Sequence, residues 1–186
     1  MSKSNLGNPP PPLARSYWVL GGKFLAGAYA GQPDPPAHEK RVSVLFDAGM
    51  RTFINLMEED ETNNEGKPFV RYDNRLRELA AEAGESISHL RFPIVDRNVT
   101  TADRMRSILD AIDLSLASDR PVYVHCFGGI GRTGTTVCCW LLRHGLATTD
   151  DVFSKLQQLR AADEARFSWP APENEIQRKF VLEWSE

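Results

Sequence analysis

Apolar residues recur along this chain with two different periods, which predict short strands alternating with helices. The clearest helix is predicted over Thr101–Ala117, where five large apolar residues repeat at helical spacing and Thr100 with Asp103 forms a capping box. Other helices are predicted over His38–Ala48, Asn74–Ala83, Arg132–His144, Thr149–Arg160 and Glu173–Trp184. Strands are predicted at Trp18–Leu20, Lys23–Ala28, Arg51–Met57, Ser88–Pro93 and Pro121–His125, with loops at Gln32–Pro36 and Glu58–Lys67.

This alternation predicts an α/β fold with a mostly parallel central sheet and helices on both faces. Ligands of such folds bind beyond the carboxyl ends of the strands, which here means the residues after Val124. Residues 1–16 contain the run Pro9–Pro12 and are predicted to be a flexible, proline-rich tail. Residues 17–186 are predicted to form a single domain.

Composition narrows the class of protein. The chain has 186 residues, 41% of them hydrophobic, and a net charge of −3. We therefore expect no nucleic-acid partner, because the basic surface that such a partner needs is missing. The apolar runs are too short to span a membrane, and the N-terminus lacks the pattern of a secretory signal. Three cysteines, two of them adjacent, are a poor disulfide framework and favour a cytoplasmic location.

The strongest chemical signal is the run His125–Gly134, in which Cys126 follows a strand and Arg132 follows five residues later. The loop between them is rich in glycine, which lets backbone N–H groups turn inward and form an anion-binding nest. The helix that begins after it adds the positive end of its dipole. Arg132 supplies a planar fork for two phosphate oxygens. The predicted phosphate-binding residues are Phe127, Gly128, Gly129, Ile130, Gly131 and Arg132.

These residues suggest phosphoryl transfer through a cysteine. The same amides and dipole stabilise a thiolate at Cys126, which makes this residue the predicted nucleophile. Asp96 lies at a strand end thirty residues before Cys126 and is predicted to protonate the leaving oxygen, then to activate water. We expect Thr133 to donate its hydroxyl to the sulfur and His125 to brace the loop. No metal or other cofactor is required, since Arg132 and the amides neutralise the phosphoryl oxygens.

The signature of cysteine, five residues, arginine and threonine resembles the protein tyrosine phosphatase superfamily, in its small, dual-specificity-like, bacterial-type branch. The segment Phe92–Asp96 is similar to the mobile acid loop of that family, and Pro172–Gln177 and Gly27–Gly31 are also similar to segments of its compact members. The resemblance implies a metal-independent phosphatase for phosphotyrosine, and for phosphoserine and phosphothreonine as well, in protein substrates. It also implies that Gln177 places the hydrolytic water, although a helix-surface or packing role is the alternative. We expect a monomer.

Other functions stay open at this stage. A phosphatase of the same fold for phosphoinositides or other small phosphates is the main alternative, although the loop Phe127–Gly131 carries no lysine for polyanionic head groups. A rhodanese-like sulfur transferase and a phosphopeptide-binding module without turnover are the others. For Asp96 the alternative is a solvated turn or a helix cap, and for the acidic loop Glu58–Glu65 it is a solvated surface. Cys138 and Cys139 are predicted core residues, too far along a helix to pair with Cys126.

Overall fold

A five-stranded sheet organises the protein in a computed structural model, which describes residues 9–163 and 165–186. The strands are β1 (Ser16–Leu20), β2 (Phe24–Gly27), β3 (Thr52–Asn55), β4 (Ser88–Arg91) and β5 (Val122–His125). Their order is β1-β2-β5-β3-β4, and all neighbours are parallel except the β1–β2 hairpin. The predicted α/β class with a mostly parallel sheet is confirmed. Because β5 lies at the centre, the residues that follow it are flanked by β2 and β3.

Six α-helices accompany the sheet in the described residues. They are α1 (Pro35–Asp47), α2 (Asp73–Glu82), α3 (Ala102–Ala117), α4 (Gly131–Arg143), α5 (Val152–Leu159) and α6 (Glu175–Leu182). A short 3₁₀ turn at Arg160–Ala162 follows α5. In the part of the chain that the structure describes, none of the helices has the length and apolarity to cross a membrane.

The two faces of the sheet carry different helices. On one face, Phe24 of β2 packs edge-on against Trp140 of α4, with ring centroids 5.1 Å apart. On the other face, Tyr123 of β5 and Phe53 of β3 stack toward Tyr72, which precedes α2. Helix α4 also contacts α3, α5 and α6, and eleven of its thirteen residues are buried. The helix that follows the cysteine loop is therefore the central helix of the core.

Two helices begin at other residues than predicted, because a different side chain caps each of them. Helix α1 begins at Pro35, inside the predicted loop Gln32–Pro36, because Asp34 caps it by accepting from the Ala37 N–H at 2.9 Å. Proline suits the first helical position, since its missing N–H would have no partner there. The predicted capping box of α3 is wrong: Thr101 is the cap, accepting from the Arg104 N–H at 3.2 Å.

The N-terminal segment packs earlier than the predicted boundary at residue 17. Leu13 is buried in the core, and its carbonyl accepts from Ser16, which begins β1. Arg15 donates to the carbonyl of Gly128 in the cysteine loop at 3.0 Å. Of the remainder of the predicted tail, Pro9–Pro12 form neither helix nor strand, and residues 1–8 lie outside the described residues. Leu13 and Ser16 are thus buried in the folded domain, whereas Ala14 between them is exposed.

Candidate active site

The cysteine loop lies at the carboxyl edge of the sheet. Strand β5 ends at His125, the turn runs from Cys126 to Ile130, and α4 begins at Gly131. A cleft of about 380 Å³ opens over this turn. It is lined by Asn64, Asp96, Arg97, Cys126, Phe127, Gly128, Ile130, Gly131, Arg132, Arg166, Trp169 and Glu173. Four of the five predicted phosphate-binding loop residues therefore face the same cleft as Cys126.

The loop is shaped around the cysteine sulfur. Cys126 is 3% exposed, and its Sγ accepts a hydrogen bond from the Gly129 N–H at 3.3 Å. Gly129 has a φ of 75°, and a Cβ there would lie 2.5 Å from the carbonyl carbon of Gly27. Only glycine permits both this backbone conformation and this approach to β2. The conformation turns one amide toward the thiol, as an anion-binding nest requires.

Arg132 is the most constrained side chain of the site. It is buried, and Nη1 donates to Glu61 at 2.7 Å and to the Ile94 carbonyl at 3.0 Å. Nη2 donates to the other carboxylate oxygen of Glu61 at 2.8 Å. Burial lowers the pKa of Arg132, but the bonds to Glu61 and the nearby acidic groups outweigh it and raise that pKa above its usual value. The guanidinium is therefore a permanent charge held in one orientation.

One edge of the same guanidinium faces the cleft. The Nε of Arg132 is buried and has no hydrogen-bond partner among residues 9–163 and 165–186. The neighbouring Nη2 lies 2.8 Å from Oδ1 of Asp96, whose side chain is 54% exposed. Two adjacent N–H groups on one edge match the spacing of two phosphate oxygens. Asp96 thus lies beside this edge, on the loop that follows β4.

Glu61 is a site residue that the sequence analysis missed. Its side chain is 11% exposed, although it belongs to the acidic loop for which a solvated surface was the alternative. Because β3 neighbours β5, the loop after β3 reaches the arginine that begins α4. The available signal was the acidic run Glu58–Glu61 directly after a buried strand. An unpaired buried arginine would have required such a partner.

His125 lies beneath the loop. It is fully buried, its Nε2 hydrogen-bonds the Tyr72 hydroxyl, and its Nδ1 lies 3.3 Å from the Cys126 carbonyl oxygen. Burial lowers the pKa of His125 to about 3. The imidazole is therefore neutral near pH 7 and links the loop to the aromatic core.

Thr133 is buried in the first turn of α4. Its Oγ1 has no hydrogen-bond partner in the described part of the chain, so the predicted bond to the Cys126 sulfur is not formed in this structure. A buried hydroxyl without a partner is unfavourable by roughly 1–3 kcal/mol. It is therefore available to a group that enters the loop.

For Gln177 the alternative to placing water was a helix-surface or packing role. The structure excludes the surface position. Gln177 is fully buried on α6, where its Oε1 accepts from the Glu173 N–H at 3.0 Å and its Nε2 donates to the Asn98 carbonyl at 3.3 Å. A Cβ on Gly131 would lie 2.8 Å from that Nε2. The structure therefore brings the Gln177 amide against the end of the phosphate-binding loop.

The other two cysteines are buried free thiols of α4. Burial raises the pKa of Cys138 and of Cys139 well above the usual range, so both are neutral. Within residues 9–163 and 165–186, no group of three histidine, cysteine or acidic side chains could hold a metal ion.

Similar sequences carry little functional information by themselves. Two uncharacterized proteins of Methanocaldococcus jannaschii are 32% and 33% identical over 98 residues, which is 53% of this chain and 55% and 60% of theirs. The matched segment thus spans just over half the length of the curated relatives.

Solved structures share the fold. Kinase associated phosphatase, with its catalytic cysteine replaced by serine, has a TM-score of 0.66 at 18% identity, covering 90% of both chains. PTPMT1 in complex with PI(5)P has a TM-score of 0.61 at 20% identity, covering 90% of this chain and 95% of its own. The PP-IP phosphatase SIW14 of S. cerevisiae has a TM-score of 0.63 at 16% identity, covering 96% and 89%.

A family model supplies the stronger assignment. The model described as "Polymorphic toxin system, DSP-PTPase phosphatase" matches residues 30–146, which include Glu61, Asp96, Cys126 and Arg132. The match covers more than half of the chain, and the fold agrees with it. The chain belongs to this family of dual-specificity-like phosphatases in the protein tyrosine phosphatase superfamily.

Proposed function

We propose that this phosphatase hydrolyses phosphotyrosine, and phosphoserine or phosphothreonine as well, in protein substrates through a cysteinyl-phosphate intermediate. One observation carries the mechanism: Cys126 and Arg132 of the cysteine loop and Asp96 of the loop after β4 line a single cleft. No metal ion takes part in the proposed steps, since Arg132 and the loop amides supply the positive charge.

In the first step, the substrate phosphate enters the loop and two of its oxygens accept from Nε and Nη2 of Arg132. Asp96 leaves its position 2.8 Å from Nη2, takes up a proton from solvent and turns toward the leaving oxygen. The Cys126 thiolate attacks phosphorus, the bond to the leaving oxygen breaks, and Asp96 donates its proton to that oxygen. Glu61 keeps the guanidinium in place from the opposite side.

In the second step, water attacks the cysteinyl-phosphate. Asp96 takes a proton from that water, the sulfur–phosphorus bond breaks, and inorganic phosphate leaves. The unpartnered Thr133 hydroxyl donates to the departing sulfur, and the Gln177 amide, which lies against Gly131, positions the water. Because burial lowers the pKa of His125, its imidazole stays neutral near pH 7 and does not shuttle the proton. It braces the loop from beneath.

The substrate class rests on the form of the cleft. Its loop from Phe127 to Gly131 contains no lysine, which favours a single phosphoryl group on a side chain over a polyanionic head group. The second candidate is a small phosphate ester such as a phosphoinositide or inositol phosphate, favoured by two fold neighbours, PTPMT1 in complex with PI(5)P and the PP-IP phosphatase SIW14. Free, buried thiols support a cytoplasmic setting for either substrate.

The test is hydrolysis of p-nitrophenyl phosphate with EDTA present. We expect turnover by the wild type, none by Cys126→Ser, and a slow Asp96→Asn that has lost the pH limb of the acid. Asp119→Asn is the matched control, because Asp119 is 91% exposed and does not line the cleft. A wild type that needs metal, or a Cys126→Ser variant that keeps its rate, would rule out the cysteine mechanism. The rates at which the active enzyme hydrolyses phosphopeptides and inositol phosphates then decide between the two substrate classes.

A further inference from the structure

Two arginines from opposite ends of the chain flank the cysteine loop at Gly128. Arg15 precedes β1 and donates through Nη2 to the Gly128 carbonyl at 3.0 Å. Arg166 follows the 3₁₀ turn, and a Cβ on Gly128 would lie 3.2 Å from its Nη1 and 3.9 Å from Nη2 of Arg15. Both residues lie outside the segment 30–146 that the family model matches. The two guanidinium groups at the rim of the cleft therefore come from parts of the chain that the family model does not match.

Within the described residues, neither guanidinium forms an ion pair, although Glu65 lines the same hollow as Arg15 and Glu173 lines the same cleft as Arg166. No carboxylate lies within 4.0 Å of either guanidinium among residues 9–163 and 165–186. Asp163 is an acidic group nearby: its carboxylate lies 4.0 Å from the fully buried Arg160, and its charge also raises the pKa of Arg15. Burial and the charge of Arg166 lower the pKa of Arg15, and the Nε of Arg15 is buried without a partner in the described chain. Two like charges held together in this way favour an anion between them.

The segment that carries Arg166 is held in place from below. Arg160 donates from Nη1 to the Trp169 carbonyl and from Nη2 to the Arg166 carbonyl, each at 2.9 Å. The Arg166 guanidinium lies over the Trp169 ring, 4.8 Å from its centroid. Since Arg160 is inaccessible to solvent, these two bonds fix the backbone at the edge of the cleft. The rim is thus built into the fold.

The two arginines face neighbouring hollows that meet at the loop. Arg166 lines the catalytic cleft, and Arg15 lines an adjoining hollow of about 510 Å³. The two hollows share Asn64 and Phe127, so a group bound in one adjoins the other. An anion placed over Gly128 would therefore contact both guanidinium groups while a first phosphate occupies the loop above Cys126.

We propose that Arg15 and Arg166 form a second anion site beside the catalytic loop, and that the preferred substrate carries a second phosphoryl group near the one removed. This proposal rests on the proposed function and specifies its substrate class. Guanidinium groups are suited to phosphate because they offer paired donors and a permanent charge. The second phosphoryl group stays on the substrate, and its binding lowers the free energy of the productive complex.

The test compares matched pairs of substrates. One pair is a phosphotyrosine peptide with and without a neighbouring phosphoserine; the other is an inositol monophosphate and a bisphosphate. For the preferred pair we expect kcat/KM to be about tenfold higher for the doubly phosphorylated member, equivalent to about 1.4 kcal/mol. Arg166→Gln should abolish most of this ratio, and Arg166→Lys should retain part of it. Arg104→Gln, which removes an equal charge from an exposed position on α3, should keep the full ratio.

The ratio of kcat/KM within a pair reports on the second anion site alone, because a general loss of activity affects both members of the pair equally. Preference in the peptide pair identifies a protein substrate, and preference in the inositol pair alone identifies a small phosphate ester. Equal kcat/KM within both pairs, or a preference that survives Arg166→Gln together with Arg15→Gln, would overturn the proposal. Calorimetric binding of the same pairs to Cys126→Ser decides the question without turnover, so failure of the proposed hydrolysis remains a distinct result.

Discussion

Glu61 offers the sharpest test of how the site is held together. Its carboxylate accepts from both terminal nitrogens of Arg132, at 2.7 and 2.8 Å, and the two side chains are 11% and 1% exposed. Glu61→Gln keeps the shape and one acceptor oxygen but removes the charge and half of the pairing. The buried guanidinium then retains one amide oxygen at position 61, the Ile94 carbonyl and the half-exposed Asp96.

Two magnitudes follow from this geometry. Removing one partner of a buried ion pair costs about 3–5 kcal/mol, and the remaining contacts of Arg132 with the retained amide bring the expected loss to roughly 2–3 kcal/mol of unfolding free energy. For catalysis, an arginine that no longer holds its edge toward phosphate should lose about 10²-fold in kcat, close to 2.7 kcal/mol of transition-state stabilisation. KM should not rise, because removing a negative charge behind the guanidinium favours binding of a phosphate dianion.

The assay combines urea unfolding with p-nitrophenyl phosphate kinetics on Glu61→Gln and on Glu59→Gln. Glu59 belongs to the same acidic loop but is exposed, so it controls for the change in local charge. We expect wild-type behaviour from Glu59→Gln, and from Glu61→Gln a lower unfolding midpoint with a kcat loss at constant or lower KM. If Glu61→Gln matches Glu59→Gln in both measurements, the ion pair does not position Arg132.

Three further changes probe the loop and its supports. Gly129→Ala should lose at least about tenfold in kcat and roughly 1–3 kcal/mol of unfolding free energy, because the new Cβ meets the β2 backbone. Its control is Gly22→Ala, since Gly22 has a φ of 69° but lies in open space. This control should lose only about 1 kcal/mol of unfolding free energy in urea. Burial lowers the pKa of His125 to about 3 and that of His89 to about 4, so below about pH 6.5 the unfolded chain binds more protons than the folded protein. The free energy of unfolding should therefore fall by up to about 2 kcal/mol per histidine from about pH 6.5 to about pH 5. His125→Asn should reduce this dependence on pH, measured by urea unfolding at each pH. Gln177→Leu should slow the second chemical step more than the first, which stopped-flow measurements would detect as a burst of p-nitrophenol absent from the wild type.

Periodicity was sufficient to predict most of the fold. The apolar repeat of α3 and the β-rich run of β5 are local signals, and both elements formed within a residue or so of their predicted limits. The wrong predictions fell at helix starts, where one side chain decides the boundary. Asp34 caps α1 so that two prolines lie in its first turn, and Thr101 rather than Thr100 caps α3. Such choices depend on backbone angles that composition does not reveal.

The site residues also fall into two groups, those that a local sequence signal locates and those that distant contacts bring to the site. Cys126 and Arg132 could be located from sequence because one loop holds both, and their spacing is itself the signal. Glu61 was not found from the sequence, and Gln177 was named only through the family resemblance, because the contacts of both residues are distant along the chain. Glu61 reaches Arg132 across 71 positions, and Gln177 reaches the loop only because α6 packs against α4. Acidic and amide residues on loops and helices are usually solvated, so their burial is a tertiary result.

The order of the strands explains how substrate binding could mobilise the acid. Since β5, β3 and β4 are adjacent, the loops after them bring Cys126, Glu61 and Asp96 to one arginine. Glu61 is nearly buried and binds both terminal nitrogens of Arg132, whereas Asp96 is half exposed and touches only Nη2. An entering phosphate competes for Nε and Nη2, and therefore displaces the weaker ligand, Asp96, while Glu61 stays. On the proposed mechanism, the event that fills the loop thus also releases the proton donor toward the leaving oxygen.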